Sequence, residues 1–268
     1  MPMKGVLHIQ ASLREGITYL EQSYFSPPFK LATIAQDKNE PWLHLVLMSS
    51  SPGILDGDEY SIKIELEAGC SLQLHTQSYQ RLFNMQTGAT QNTEVILQKG
   101  ASLVYLPHPA VPHQSSVFTS TNKIYITDHC RLVWGEILTC GRKGNGEVFH
   151  LAKYHNRTNI YFNKKLIVKE NLLIQPALIN PSALGQMENY THQASLVLID
   201  GQMELTEMKE QIAAICSVEN EIAFGVTNLP VPGLLIRFLG NKAEQLHKLL
   251  QSIHRLSIQK IIKQETVE

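Results

Sequence analysis

A mainly β fold, built as a β-solenoid body of stacked strands with two α-helices in its C-terminal section, is what this sequence predicts. Three observations carry the prediction. Within residues 59–147 three segments align: Gly69-Cys-Ser-Leu-Gln-Leu-His75, Gly100-Ala-Ser-Leu-Val-Tyr-Leu106 and His129-Cys-Arg-Leu-Val-Trp-Gly135, with starts 31 and 29 residues apart. Each follows an alternating run, Tyr60–Leu66, Thr93–Leu97 and Lys123–Thr127, whose period of two marks half-buried strands. Recurrence near thirty residues points to coils that cover one another's apolar faces. A plain antiparallel sandwich of similar hairpins is the competing architecture. The third observation is a change of texture after residue 180, where apolar residues begin to recur at helical spacing.

The elements can be justified in order. Val6–Ile9 and Ile17–Leu20 are short strand candidates, and Ser26-Pro-Pro-Phe29 interrupts them, because two prolines fix φ and remove two amide donors. Phe29, Leu31 and Ile34 are placed to anchor that segment, and Leu43–Met48 is apolar enough for a central strand. Ser49–Asp58 is turn-rich: Pro52-Gly53 suits the centre of a type II turn, and Gly57 permits positive φ. After the repeats, Gly141–Glu147 reads as the glycine-rich loop of a β-hairpin, because no G-K-[ST] opens a helix there. Val148–His150, Thr158–Phe162 and Leu166–Val168 are further strands, the last two joined by a hairpin turn at Asn163-Lys164. Ser195–Asp200, Glu221–Thr227 and Leu234–Leu239 are the late strands. Leu205, Met208, Ile212 and Ile215 mark one helix. A second starts at Asn241, with Glu244 completing a capping-box-like pair, and buries Leu246, Leu249, Leu250, Ile253 and Leu256. Residues 1–268 are expected to form one domain, a β-rich body over 1–180 and a dependent α+β closing section over 181–268.

Composition narrows the function classes. The 268 residues are 43% hydrophobic and 18% charged, an ordinary globular balance. Lysine and arginine number 23 against 24 acidic residues, so no electrostatic pull toward nucleic acid or an anionic membrane is expected. The first residues lack the apolar core of a secretory signal, and no apolar run is long enough to span a bilayer, so a cytoplasmic protein is expected. Its four cysteines, at 70, 130, 140 and 216, form no C-x-x-C pair and read as reduced thiols. Cys70 and Cys130 hold matching repeat positions, which allows either proximity or two small buried groups.

Candidate chemistry is sparse. Asp56, Asp58 and Glu59 place three carboxylates in four residues, suited to a hard cation or to a solvated turn. Thr76, Gln77 and Ser78 gather neutral oxygen and amide groups at a strand end. His108 and His113 flank a stiff proline segment, but no H-x-H or H-E-x-x-H accompanies them. A β-fold metalloenzyme or carbohydrate-active protein using His108 and His113 is the alternative reading that they support. Glu136 stands in an apolar strand and must be paired, hydrogen-bonded or hydrated, with Arg142 a nearby cation. No G-x-S-x-G elbow or recognisable nucleophilic cysteine is present, so the residues favour binding or assembly over catalysis.

One resemblance covers nearly the whole chain. Ser51-Pro-Gly-x-x-x-Gly-Asp58, Thr76-Gln77 with Arg81, Trp134-Gly-Glu136, Gly141-Arg142 and Gly146-Glu147 come in the order found in the UreD family of urease accessory proteins, also called UreH. Pro27–Lys30, His192 ahead of Leu196-Val-Leu198, and Gly225-Val-Thr227 fit as well. The chain departs from that pattern at Ile54 and Asp56, where the family usually has glycines, and at Arg81, where lysine is common. The resemblance implies a non-enzymatic protein that complexes with UreF, reaches the GTPase UreG through it, and docks on apo-urease to assist nickel insertion. It implies no tightly bound cofactor, only nickel in transit through an internal tunnel. Asp58, Thr76, Gln77, Glu136 and Glu147 are then the candidate transit residues, with Arg142 as the competing partner of Glu136 or Glu147. Pro52, Gly53, Gly57, Arg81, Gly141, Arg142 and Gly146 carry the structural motif.

Overall fold

The structure, a computed structural model, describes residues 2–34 and 40–265, with side chains as far as Ser257. The extreme ends of the expected 1–268 domain therefore lie outside the described residues. In chain order the first strands are β1 (Lys4–Arg14), β2 (Ile17–Phe25), β3 (Phe29–Thr33), β4 (Leu43–Ser49), β5 (Glu59–Leu66), β6 (Ser71–Thr76), β7 (Gln80–Leu82), β8 (Ala89–Leu97) and β9 (Ser102–Tyr105). There follow β10 (Ala110–Pro112), β11 (Val117–Ile126), β12 (Arg131–Leu138), β13 (Lys153–Phe162), β14 (Lys165–Ile174) and β15 (His192–Ile199). The chain closes with α1 (Leu205–Ser217), β16 (Ala223–Asn228), β17 (Gly233–Gly240) and α2 (Ala243–Glu265).

These strands make two mixed sheets. A seven-stranded sheet runs β14-β13-β11-β8-β5-β1-β2, parallel from β13 to β1 and bordered at each edge by an antiparallel strand. A ten-stranded sheet runs β16-β17-β15-β12-β9-β6-β4-β3, parallel only from β12 to β4, with β7 and β10 paired beside it. Mainly β is the fold class. Both sheets are mixed, and their parallel centres exclude a plain antiparallel sandwich.

The aligned sequence segments lie side by side in the register of their alignment: Leu72 beside Leu103 beside Leu132, and Leu74 beside Tyr105 beside Trp134. Each tight turn carries the chain from one sheet to the other, so the runs before and after it do not pair. The turns themselves touch, the Gly69 amide donating to Lys99 O and the Gly100 amide to Asp128 O, both at 3.0 Å. Cys70 and Cys130 are buried free thiols, donating separately to Ala11 O and Gln98 O, so they are packing groups.

Both sheets turn alternate residues inward, and one apolar core joins Leu7, Ile64 and Val95 of the first to Leu45, Leu72 and Leu132 of the second. The helices cover the outer face of the ten-stranded sheet, where Leu246, Leu249, Leu250 and Ile253 of α2 and Met208 and Ile212 of α1 bury Val104, Val133 and Ile137. Gly135 sets how closely α2 lies: a Cβ there would stand 2.6 Å from Leu106 Cδ2 and 3.1 Å from Leu250 Cδ1.

Three local expectations need correction. Trp134–Glu147 is no hairpin, since β12 and β13 belong to different sheets and a single 3-10 turn, Lys143–Asn145, lies between them. Val148–His150 is not a strand: Phe149 sits at φ 55° and its amide donates back to Cys140 O at 2.7 Å, bending the chain. Asn241 does not act as expected at the start of α2, because its side-chain oxygen accepts from the Thr191 hydroxyl and the Glu244 carboxylate accepts from Tyr79. The Asn163-Lys164 turn does join β13 to β14, both residues having positive φ as the tight hairpin turn requires.

Candidate functional site

The inward face of the seven-stranded sheet changes character along its length. Strand register places Ile64, Val95, Ile124 and Ile160 in one row, and the next row towards the strand starts is Ile62, Thr93, Asn122 and Thr158. Beyond it comes Tyr60, Gln91, Ser120 and Asn156. Five of these polar side chains, Thr93, Ser120, Asn122, Asn156 and Thr158, are buried, at positions where aliphatic residues would each add roughly 1.5–3 kcal/mol of stability. Facing them, β12 turns Trp134 and Glu136 inward, and a cavity of about 170 Å³ lies between the sheets here.

Glu136 is the centre of a hydrogen-bond network. Its Oε1 accepts from Trp134 Nε1 at 2.8 Å, Asn122 Nδ2 at 3.0 Å and the Thr158 hydroxyl at 2.6 Å, and its Oε2 from Asn156 Nδ2 at 2.6 Å. Ser120 donates to Asn156 Oδ1, and Asn122 donates to Thr158 Oγ1, so each strand holds its neighbour's side chain in place. Burial pushes the Glu136 carboxyl up from its ordinary range, while donors from Thr158, Trp134 and Asn156 pull the other way and the Glu170 charge adds to the rise. Burial, and then the Glu136 charge, likewise push the Tyr105 and Tyr154 hydroxyls up, so both stay neutral. Among the described residues no lysine, arginine or histidine makes an ion pair with Glu136. Among the described residues, Glu136 is a buried carboxyl group with four donors and no counter-cation.

The other candidate residues divide into two groups. Thr76 and Gln77 line the same cavity, with Ser51, Pro52 and Gly53. Asp58 and Glu147 do not. Asp58 is buried in its own turn, where it accepts from the Met3 and Leu55 amides and the Tyr60 hydroxyl. Glu147 is clasped by Arg142, whose Nε and Nη2 donate to its two carboxylate oxygens, and it also accepts from the Gln114 amide; these hold its carboxyl below the usual range, the Arg142 bond foremost. Arg142 is therefore the partner of Glu147 and not of Glu136. Gly141 and Gly146, both at positive φ, flank that clasp. Asp56 closes the neighbouring loop through Gly88 and Thr87, which bring its carboxyl down to about 2, and Glu59 pairs with Lys4. Among the described residues no three His, Cys, Asp or Glu side chains are gathered as a ligand set.

The Pro52-Gly53 motif has a different cause from the expected turn. Gly53 does not have positive φ, whereas Gly57 does, at 80°. A Cβ on Gly53 would stand 2.4 Å from the Arg81 carbonyl oxygen, the same oxygen that accepts from the Ile54 amide. Gly53→Ala must push two backbone segments apart at the cavity edge, and an increase in unfolding susceptibility equivalent to about 1–3 kcal/mol is expected in urea titration.

Sequence reading missed Asn122, Asn156, Thr158, Ser120 and Thr93. Their signal was available: in β11 the buried alternation Phe118, Ser120, Asn122, Ile124, Ile126 inserts two polar residues into the inward set. The two singled-out histidines are not brought together. His113 packs edge-on against Phe83, and His108 turns to Thr76 and to His247 of α2.

A family model described as UreD urease accessory protein matches residues 3–268. The chain belongs to the UreD family of urease accessory proteins. A Urease accessory protein UreD of Flavobacterium johnsoniae is 47% identical over 254 residues, covering 94% of this chain and 92% of the relative. Those of Acetivibrio thermocellus and Haemophilus influenzae are 33% and 36% identical, covering 93% and 90% of this chain and 95% and 93% of the relatives. The UreD relatives are named as accessory proteins, so the role of the family is an accessory one and not that of an enzyme. Among the described residues no helix is long and apolar enough to cross a membrane.

Proposed function

We propose that this chain assists nickel insertion into urease in the cytoplasm, complexing with UreF, engaging UreG through UreF, docking on apo-urease and letting the ion pass through the cavity between its sheets. The frame is read as solenoid-like in its parallel middle, where coil-to-coil stacking repeats the same inward positions and so strings polar groups into rows. One observation carries the reading: Glu136, a buried carboxyl with four donors and no counter-cation among the described residues, on the wall of a cavity with both polar and apolar lining. A hydrated divalent ion beside it would supply the missing charge and draw the carboxyl back to its anionic form. One carboxylate with amide and hydroxyl oxygens makes a weak set that releases what it takes, as a route requires. Nickel is cargo here, and no resident cofactor is needed.

The alternative of a metalloenzyme using His108 and His113 finds no support, because the two point to different partners. The test is co-purification of tagged full-length chain with UreF and apo-urease, followed by urease activity after nickel addition. Stoichiometric recovery and activation that depends on the chain are expected; absence of both would overturn the reading. Truncation at Asn241 is a poor probe of the partner surface, since it removes Leu246, Leu249, Leu250 and Ile253 from the core. Its expected outcome is loss of folding together with loss of UreF.

A further inference from the structure

Imidazoles collect where α2 crosses the ends of the central strands. The His44 and His75 rings stack at 6.0 Å, and the His108 and His247 rings lie 4.8 Å apart, centroid to centroid. His247 is 6% exposed and its Nε2 has no hydrogen-bond partner, which is a costly state for a buried polar atom. His108 touches both sides of this wall: it lines the cavity inside and packs against His247 outside. Its orientation is fixed, because the Thr76 hydroxyl stands 2.9 Å from Nδ1 and accepts the His108 amide at 2.9 Å. In the tautomer whose Nδ1–H donates to Thr76, Nε2 carries the lone pair that a metal takes, the arrangement by which outer-shell partners set a ligating imidazole. Glu244, accepting from Tyr79 beside His108, brings a negative charge close to the pair.

We propose that His108 and His247 form a two-imidazole port that takes a borderline divalent cation such as Ni²⁺ and passes it to the cavity. This rests on reading the cavity as the ion route. Metal–imidazole bonds near 2.0–2.1 Å put two coordinated ring centroids about 5 Å apart, so the observed spacing needs ring rotation and not movement of the helix. Imidazole selects nickel, zinc and copper over magnesium and calcium. Two protein ligands completed by water hold such an ion loosely. The unpartnered Nε2 is then a ligand atom kept free, and Thr76 acts by positioning His108.

The test is calorimetric titration of the full-length chain with Ni²⁺ and, separately, Mg²⁺, comparing wild type, His108→Gln and His247→Gln, with thermal melts of each. Nickel X-ray absorption of the wild type gives a readout independent of whether the variants fold. Expected are imidazole nitrogens in the nickel spectrum, little Mg²⁺ binding, and affinity lowered about tenfold or more by either histidine substitution. A nickel shell of oxygen alone, or unchanged affinity in folded His108→Gln and His247→Gln, overturns the port. The cavity reading fails separately, by activation that survives filling of the cavity while the port still binds nickel.

Discussion

Glu136→Gln is expected to fold, to bind the same partners and to lower urease activation at limiting nickel about tenfold or more. The magnitude follows from charge: even at an effective dielectric of 20, unit charges about 4 Å apart attract by about 4 kcal/mol, and a divalent ion by more, so removing the carboxylate weakens any station beside it well beyond the ~1.4 kcal/mol that makes a factor of ten. Glutamine preserves the acceptor for Trp134, Asn122 and Thr158, while its NH₂ faces Asn156 Nδ2, whose oxygen is held by Ser120 and Asn122, so a single hydrogen bond is lost. Glu136→Ala is a harsher change. It leaves four buried donors without their acceptor, at about 1–3 kcal/mol for each that water does not reach. The alanine variant should therefore melt earlier as well as activate poorly, and only the glutamine variant separates route from scaffold. Wild-type activation by folded Glu136→Gln at limiting nickel would remove Glu136 from the route.

Stability is expected to fall as pH drops from about 6.5 to 4. Burial brings His192 and His254 each down to about 4, with the charges of Lys143 and of Arg255 and His75, respectively, adding to the effect. Above the unfolded value near 6.5 neither state binds a proton, so nothing is lost. Between 6.5 and 4 the unfolded chain takes up protons that the folded chain refuses, and each histidine costs up to about 1.4 kcal/mol per pH unit, on the order of 3 kcal/mol in all. Two such groups rival the entire stability of many domains. Urea denaturation at pH 7.5, 6 and 5 should show the decline, and His254→Gln should flatten it. A pH-independent midpoint across that range would show that these imidazoles are not held neutral.

The legible part of the fold was the part written as repetition. Leu72, Leu103 and Leu132 align in sequence because they are neighbours in space, and the helical stripe at Leu205–Ile215 survives because the helix needs one apolar face. What was not legible was which strands pair. A tight turn after β5 looks like a hairpin, yet it passes the chain to the opposite sheet, and nothing in Glu67-Ala-Gly-Cys70 distinguishes the two outcomes. The mixed edges followed from the same ambiguity.

The site was half legible. Glu136 stood out because a carboxylate amid Leu132, Trp134 and Ile137 demands partners. Its partners did not stand out: Asn122, Asn156 and Thr158 come from strands 14 to 22 residues away that meet it only across the cavity. Asp58 and Glu147 carried equally suggestive sequence signals. The structure places them outside the cavity, and the oxygens of both are engaged by other donors: Asp58 by Met3, Leu55 and Tyr60, Glu147 by Arg142 and Gln114.

On the proposed route the ion passes through the space beside Glu136. Thr93 lines it, is 6% exposed, and sits beside Ile62 and Asn122 in the strand register. Thr93→Phe fills much of the cavity while leaving the Glu136 network its hydrogen-bond partners. The direct measurement is nickel-dependent activation of apo-urease by complexes containing this variant, with melting temperature and partner stoichiometry determined on the same samples. Intact complexes with activation reduced to the level seen without the chain are predicted. Wild-type activation by a folded, complexed Thr93→Phe protein would contradict the account.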